Sequence, residues 1–289
     1  MVKEAVTIKN GMKVKRAVKI VRKKAHDKES ENDRIQTELE HEVSIWRYLS
    51  HPHILPLIEV YDSPFATFCF TRLTTNGTLF DLLKANRQGL PVLVAQKYSY
   101  QLASAIRYLH EDVRIIHRDI KPENCLIDVS VDAEGSLLLC DFGMAEQIPC
   151  DDDSDSDSSY VQRQKRQSEA SACVNGSLPY ASPEMMISST PFLSTAVDIW
   201  AYGVTVFVLH TGILPFNHTF QPKLQMMIAK GDWDVNLFRN AEPFKGNEDF
   251  GRMALTVLKG CLCKNPEMRW NVGTVLESEW LEDMAVECP

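Results

Sequence analysis

The stretch HRDIKPEN, residues 117–124, places a carboxylate, an ammonium group and a carboxamide within six residues of one another. A second carboxylate follows in DFG, residues 141–143. Phosphoryl transfer requires this set of groups: a carboxylate accepts the proton of the attacking hydroxyl, an ammonium group offsets charge on the moving phosphoryl group, and oxygen ligands hold Mg²⁺. The sequence therefore indicates a phosphoryl-transfer site built from these two segments.

The secondary-structure signals on either side of this stretch differ in character. Before residue 75 the apolar pattern predicts strands at residues 5–8, 14–21, 54–61 and 65–73 and a helix at residues 33–49. Asn10-Gly11 favours a tight turn between the first two strands, because this dipeptide accepts positive φ values. After residue 77 the pattern becomes mainly helical, beginning with residues 79–85 and 94–109. We expect an α+β protein with a small sheet-plus-helix lobe followed by a larger helical lobe.

Composition narrows the class of protein. The 289 residues are 44% hydrophobic, which is enough for a sizeable core. The formal net charge of −8 is opposite to that of a nucleic-acid binder. Five of the acidic residues are aspartates between Asp151 and Asp157, and without them the formal charge is −3. The sequence predicts a globular enzyme-sized protein with no nucleic-acid partner.

Neither secretion nor a membrane location is predicted. No N-terminal segment has the layout of a signal peptide, and the eight cysteines show no pattern of disulfides or metal ligands. Cys261 and Cys263 are read as two buried thiols. Residues 199–216 contain no charged Asp, Glu, Lys or Arg, but Gly203 and Pro215 interrupt them, so we expect a helix buried in the core. A cytoplasmic location is expected, with the nucleus as the alternative.

The motifs occur in a recognisable order. HRDIKPEN and DFG are followed by Ser182-Pro183-Glu184, and the chain resembles a eukaryotic protein kinase catalytic domain over essentially its whole length. The resemblance implies a two-lobed protein kinase-like fold in a single domain, residues 1–289, with an N-terminal lobe at residues 1–73 and a C-terminal lobe at residues 74–289. It also implies ATP and Mg²⁺ as cofactors and protein substrates.

The resemblance assigns roles to the polar residues. Asp119 matches the catalytic base, Lys121 lies beside the transferred phosphate, and Asn124 and Asp141 hold magnesium. Lys19 matches the strand lysine that contacts the nucleotide phosphates, with Glu42 as its helix partner. Taken alone, Lys19 and Glu42 would be ordinary surface charges.

The adenine pocket is assigned in the same way. Val2 and Ala5 match the apolar roof, and Leu126 matches the floor. Thr71 matches the gatekeeper, and Leu73 lies in the hinge whose backbone pairs with the adenine edge.

Five further residues match structural positions of the family. His117 and Phe142 are expected to pack between the lobes, and Asp198 is expected to hold the catalytic loop from beneath. Glu184 is expected to pair with Arg269.

Lys121 and Ser177 match the serine/threonine type, closest to the calcium/calmodulin-dependent and AMP-activated branch. Glu123 matches a residue that faces an arginine of basic substrates, whereas Thr78 stands where such kinases often carry a second glutamate. The resemblance thus implies a kinase that transfers the γ-phosphate of ATP to serine or threonine hydroxyls, with sequence preference left open.

The first strand and glycine-rich loop of the family have no counterpart, since Val2 matches the residue just after that loop. Because the loop positions the phosphates, we expect the chain as given to be slower than one extended upstream. Three interpretations remain: an active kinase whose chain begins earlier, a catalytically impaired kinase-like binding protein, and an alternative-start isoform that competes for partners. The complete set of catalytic residues favours the first.

The activation segment also departs from the family. Arg118 matches an arginine that usually pairs with a phosphothreonine, but that position holds Cys173. Ser168 and Ser171 are the nearest hydroxyls, and we expect an upstream kinase to act on one of them. Residues 150–171 are predicted to be a disordered acidic insertion, either regulatory or simply a solvated loop.

Overall fold

The computed structural model describes residues 1–9, 11–23, 29–130, 135–148, 177–187 and 193–284. An antiparallel sheet and one helix come first in the chain, and mainly helices follow residue 78. The α+β, two-lobed architecture expected from the sequence is confirmed. The predicted insertion at residues 150–171 lies outside the described residues.

The N-terminal sheet has four strands in the order β1-β2-β4-β3, each antiparallel to its neighbours. The strands are β1 (Val2–Lys9), β2 (Met12–Arg22), β3 (Leu57–Asp62) and β4 (Ala66–Arg72). Gly11 lies between β1 and β2 with φ of +76°, a backbone conformation that a residue without Cβ adopts at no steric cost. The hairpin predicted from the Asn-Gly dipeptide is confirmed.

Helix α1 (Glu29–Trp46) packs against the core through one face. Leu39, Val43 and Trp46 recur at spacings of four and three residues, which places them on the same side of a helix, and all three are buried. Nε1 of Trp46 donates a hydrogen bond of 2.6 Å to the backbone oxygen of Leu55. This bond fixes the end of α1 to the loop before β3.

The remaining chain is mainly helical. The helices are α2 (Leu79–Ala85), α3 (Val92–Arg107), α4 (Pro183–Ile187), α5 (Ala196–Thr211), α6 (Gln221–Lys230), α7 (Val235–Arg239), α8 (Glu248–Cys261) and α9 (Val272–Leu276). Two short antiparallel pairs lie among them: β5 (Ile115–Ile116) with β8 (Glu146–Gln147), and β6 (Cys125–Asp128) with β7 (Ser136–Leu139).

Helix α5 forms the centre of the helical lobe, since its residues from Ala196 to His210 are all buried. The prediction of a core helix within residues 199–216 is confirmed. Gly203 allows α8 to approach closely, because a Cβ at this position would lie 2.8 Å from the Cβ of Cys261. In the ranges that the structure describes, no helix combines the length and apolarity needed to cross a membrane.

The strand predicted at residues 54–61 is only partly correct. Ile54 forms an isolated β-bridge with Leu139 of β7, and the backbone N–H of Leu55 donates to the oxygen of Leu139 at 2.9 Å. Strand β3 therefore begins at Leu57, because the first residues of the apolar run satisfy their backbone groups on the C-terminal lobe.

Candidate active site

The proposed catalytic groups converge on Asp119. Nζ of Lys121 donates to both carboxylate oxygens of Asp119, at 2.9 and 2.7 Å. The same ammonium group donates to Oγ of Ser177 at 2.7 Å, and that hydroxyl donates to Oδ1 of Asp119 at 2.8 Å. Nδ2 of Asn124 donates to the other carboxylate oxygen at 2.9 Å. The carboxylate is therefore held in one orientation by three side chains.

Asp198 supports the backbone of the catalytic loop from α5. Its carboxylate is fully buried and accepts hydrogen bonds of 2.8 Å from the backbone N–H groups of His117 and Arg118. A ring nitrogen of His110 lies 2.8 Å from Oδ2. Burial acts to raise the pKa of Asp198, but these partners outweigh it and hold the pKa below its usual value. The expectation that Asp198 holds the loop is confirmed, whereas the contribution of His110 was not foreseen.

Aromatic packing joins the catalytic loop to α1. Phe142 is fully buried, with its ring centroid 5.2 Å from that of His117 and 6.2 Å from that of Trp46. The predicted packing of His117 and Phe142 between the lobes is confirmed. The position of Asp141 thus depends on contacts from both lobes.

Lys19 of β2 and Glu42 of α1 form an ion pair. Nζ of Lys19 lies 2.6 Å from each carboxylate oxygen of Glu42, and the Glu42 side chain is only 6% exposed. Burial acts to lower the pKa of Lys19, but the Glu42 carboxylate and the nearby Asp141 raise it above its usual value. Lys19 is therefore a cation held at a fixed position on the cleft side of the sheet.

Asp141 and Asn124 offer oxygen ligands for a cation. Asp141 is exposed, has φ of +69° and contributes to the electrostatic environment of Lys19. Asn124 uses its nitrogen on Asp119, so its carbonyl oxygen is the side-chain atom suited to a metal. Carboxylate and carboxamide oxygens match the preference of Mg²⁺, so the residues present fit the expected ion. No group of three or more His, Cys, Asp or Glu residues in the described ranges forms another metal site.

The strand register decides which residues line the adenine side. Lys19 pairs directly with Val2 and Cys69, and Ala17 pairs with Thr71. Paired residues point to the same face of a sheet, as do residues two apart in a strand. Val2, Thr71 and Lys19 therefore share one face, which agrees with their predicted placement.

The structure contradicts the prediction that Ala5 lines the roof of the adenine pocket. It pairs with Arg16 and lies three residues after Val2, so it points to the opposite face of the sheet from Lys19. Ala17 was missed, although it lies two residues before Lys19 in the same strand and that spacing alone places it on the cleft face. We replace Ala5 by Ala17 in the candidate pocket.

The other predicted adenine contacts lie at the junction of the lobes. Leu126 of β6 and Leu73 after β4 are both half-buried, and Leu126 forms an isolated bridge with Thr78. Thr78 also begins α2, because its hydroxyl accepts from the backbone N–H of Asp81 and the carboxylate of Asp81 accepts from the N–H of Thr78. The structure thus gives Thr78 a capping role.

Two further ion pairs involve the activation region. Arg269 donates to both carboxylate oxygens of Glu184, at 2.7 and 2.9 Å, as the sequence predicted. Arg118 has a buried side chain and faces Glu146 of β8 at 3.7 Å, a contact that was not predicted. Ser168, Ser171 and Cys173 lie outside the described residues.

Comparison with known proteins agrees with this geometry. A family model described as "Protein kinase domain" matches residues 1–281. The chain belongs to the protein kinase family. The family predicted from the HRDIKPEN and DFG motifs is confirmed.

Several curated protein kinases are similar to the chain. CBL-interacting serine/threonine-protein kinase 9 of Arabidopsis thaliana is 31% identical over 85% of this chain and 48% of that protein. Serine/threonine-protein kinase SIK2 of Gallus gallus is 28% identical over 83% of this chain and 26% of that protein. Serine/threonine-protein kinase CHK1 of Saccharomyces cerevisiae is 36% identical over 57% of this chain and 28% of that protein. The first two agree with the predicted branch of the family. The matched part of each of these three relatives is about half of its length or less.

Proposed function

We propose that the chain is an ATP-dependent serine/threonine protein kinase that transfers the γ-phosphate of ATP to protein hydroxyls. The observation that carries this proposal is the convergence of Lys121, Asn124 and Ser177 on the carboxylate of Asp119. A carboxylate held by three donors is oriented to accept the proton of a substrate hydroxyl. Lys121 is close enough to offset charge on the phosphoryl group that the hydroxyl attacks.

The residues that would hold the nucleotide lie on both sides of the cleft. Lys19, held by Glu42, would contact the phosphates, and Asn124 and Asp141 would hold Mg²⁺. Bound Mg²⁺ would supply charge neutralisation for the phosphates of ATP. Val2, Ala17, Thr71, Leu73 and Leu126 would surround the adenine.

The choice of serine and threonine acceptors rests on Lys121. Its bonds to Asp119 and Ser177 join the catalytic loop to the end of the activation segment. The hydroxyl of Ser177 accepts from Lys121 and donates to Asp119, which supports the serine/threonine assignment made from Lys121 and Ser177.

The test is transfer of γ-labelled phosphate from Mg²⁺-ATP to matched peptides with a serine, threonine or tyrosine acceptor. We expect label on serine and threonine peptides, and a loss of about 100-fold or more in Asp119→Asn, because a general base contributes on the order of 10² to 10⁴ in rate. Asp249→Asn is the matched control, since that side chain is 90% exposed and far along the chain in α8.

The alternative is a kinase-like binding protein with impaired catalysis. It predicts Mg²⁺-ATP binding in calorimetry without label transfer to any peptide. Equal transfer by the wild type and Asp119→Asn would also contradict the proposed mechanism.

We further propose that the substrates carry basic residues near the acceptor. Oε2 of Glu123 is buried and has no hydrogen-bond partner in the described part of the chain, and burial raises the pKa of this carboxyl group. A guanidinium group would satisfy it. Glu123→Gln should reduce kcat/KM for an arginine-containing peptide more than for its alanine counterpart; an equal change for both peptides would argue against this role.

Regulation is proposed through Ser168 or Ser171. Arg163, Lys165 and Arg166 precede these serines and would suit an upstream kinase that prefers basic residues. An added phosphate would compete with Glu146 for Arg118. Mass spectrometry of the cellular protein and the activity of a Ser168→Ala, Ser171→Ala double variant test this proposal, which fails if neither serine is phosphorylated.

We propose that residues 1–73 and 74–289 form the two lobes of one kinase domain, with residues 150–171 as an acidic insertion in the activation segment. The net charge of −8 supports protein substrates over nucleic acid or a membrane surface as partners. A cytoplasmic or nuclear location is proposed, and imaging of a fluorescent fusion checks it.

A further inference from the structure

An ion pair crosses between the two lobes beside the adenine side of the cleft. Nη1 of Arg72, the last residue of β4, donates to Oδ2 of Asp128, the last residue of β6, at 2.8 Å. The Asp128 side chain is 4% exposed and that of Arg72 is 43% exposed. The other carboxylate oxygen of Asp128 accepts from the backbone N–H of Ser130 at 2.9 Å.

Asp128 is held as a carboxylate by these contacts. Burial acts to raise its pKa, but the hydrogen bonds from Arg72 and Ser130 outweigh burial and keep the pKa below its usual value. Asp128 therefore carries a negative charge at neutral pH, and Arg72 is the cation that it faces.

Arg72 also lies opposite a second cation. In the β2–β4 register it pairs directly with Arg16, and like charges at directly paired positions repel each other. Asp128 faces Arg72, so without this carboxylate Arg72 would lose its anionic partner while the repulsion from Arg16 would remain.

The ion pair fixes one end of the segment that joins the lobes. We call residues 73–77 the hinge segment. At its other end, the backbone N–H of Ile127 donates to the oxygen of Gly77 at 3.1 Å, and Thr78 bridges Leu126. Both ends of the hinge segment are therefore attached to the same four-residue strand, β6.

Strand β6 also presents the candidate adenine floor. Leu126 and Asp128 are two residues apart in β6 and point to the same side of that strand. Thr71, on the cleft face of the sheet, immediately precedes Arg72. The ion pair therefore links the strand that carries Thr71 to the strand that carries Leu126.

We propose that Arg72 and Asp128 are positioning residues for nucleotide binding, which hold the hinge segment and the two faces of the adenine pocket at a fixed separation. The inference rests on the proposed kinase function, because it takes the occupant of the cleft to be a purine nucleotide. Neither side chain touches the reacting groups, so the pair acts on nucleotide affinity and leaves the chemical step unchanged.

The test uses three single variants and one double variant, which combines Arg72→Met with Asp128→Asn. Arg72→Met removes the cation, Asp128→Asn removes the anion while keeping an acceptor for Ser130, and Arg72→Lys restores the charge. Arg252→Met is the matched control, because it breaks the ion pair between Arg252 and Glu279 in the C-terminal lobe. The side chains of these two residues are 60% and 62% exposed. Circular dichroism melting confirms that each variant is folded.

The readouts are the Kd for Mg²⁺-ATP from calorimetry and the KM and kcat of peptide phosphorylation. We expect Arg72→Met and Asp128→Asn each to weaken ATP binding by about 5- to 10-fold, as for the loss of a hydrogen bond to a charged group partly open to solvent. We expect kcat to stay within about two-fold, the double variant to resemble either single variant, and Arg72→Lys to recover most of the affinity.

The outcomes distinguish failure of the positioning role from failure of the proposed kinase function. The positioning role is overturned if the wild type and Arg72→Met bind ATP with the same Kd. It is also overturned if Arg252→Met weakens ATP binding as much as Arg72→Met does. Either result leaves the kinase function intact. Additive losses in the double variant also overturn it. A wild type that binds no ATP overturns the kinase function and the positioning role together.

Discussion

Protonation of His210 should couple the stability of the C-terminal lobe to pH. His210 lies near the end of α5, is fully buried, and neither ring nitrogen has a hydrogen-bond partner among the described residues. Its ring centroid lies 4.8 Å from that of Phe244, 5.5 Å from that of Trp280 and 5.7 Å from that of Phe238. Burial in this aromatic cluster lowers the pKa of His210 from 6.5 to about 3.

The sign of the effect follows from linkage. The folded state disfavours the protonated ring, so the contribution of His210 to stability is fully present above pH 6.5 and is lost as the pH falls toward about 3. With those pKa values the loss is about 2 kcal/mol at pH 5 and approaches about 5 kcal/mol at the acidic limit.

The substitution His210→Leu removes the titrating group and keeps an apolar side chain among the three rings. We expect the free energy of unfolding of the wild type to fall by about 2 kcal/mol more than that of the variant between pH 7.5 and pH 5. Denaturant titrations followed by circular dichroism at both pH values measure this difference. The other titrating groups are common to both proteins and cancel in the comparison.

Val204→Ala serves as the control, because Val204 is fully buried in α5 and carries no titrating group. This variant should keep the pH dependence of the wild type. The reasoning is refuted if the wild type and His210→Leu differ by the same free energy at both pH values, whatever the size of that constant difference.

Three further predictions concern the site and the core. Lys19→Met should lower kcat/KM for Mg²⁺-ATP by about 100-fold or more, because it removes a positioned cation from the cleft, and it should also lower the melting temperature, because the buried carboxylate of Glu42 loses its partner; a steady-state assay below the melting temperature of the variant and a thermal melt check this. Arg269→Met leaves the carboxylate of Glu184 without its partner and should lower the free energy of unfolding by about 3 to 5 kcal/mol in denaturant titrations. Gly203→Ala would place a Cβ 2.8 Å from that of Cys261 and should cost about 1 to 3 kcal/mol, seen as a lower melting temperature with kcat unchanged.

The catalytic loop could be predicted because its chemistry is local. Asp119, Lys121 and Asn124 lie within six residues, so the backbone of one short segment brings them together whatever surrounds it. The 3₁₀ turn over Pro122–Asn124 returns the carboxamide of Asn124 to Asp119. Helix α5 could also be predicted from the sequence, because a long and almost uncharged apolar segment is most stable when it is buried in the core.

The strand register shows which feature of the site a sequence pattern cannot predict, namely the face of the sheet on which a small apolar residue lies. Ala5 and Ala17 are both small apolar strand residues, and only pairing with β2 and β4 tells which of them faces Lys19. A shift of one residue moves a side chain to the other face of the sheet. The strand predicted to begin at Ile54 is partly wrong for a related reason. The backbone partner of Ile54 is Leu139 of β7, which is more than eighty residues away in the sequence.

The sequence by itself determined the family, the two-lobed α+β architecture and the local catalytic segment, since these depend on residue types at short spacing. The resemblance also predicted that Lys19 pairs with Glu42 and Glu184 with Arg269, but only the tertiary structure showed which other distant groups meet. Arg72 reaches Asp128 in the other lobe, Arg118 faces Glu146, and His210 is left without a hydrogen-bonding partner in the described part of the core. These contacts depend on how the lobes and helices pack, because side chains far apart in the chain interact only when the fold has brought them within a few ångströms of each other.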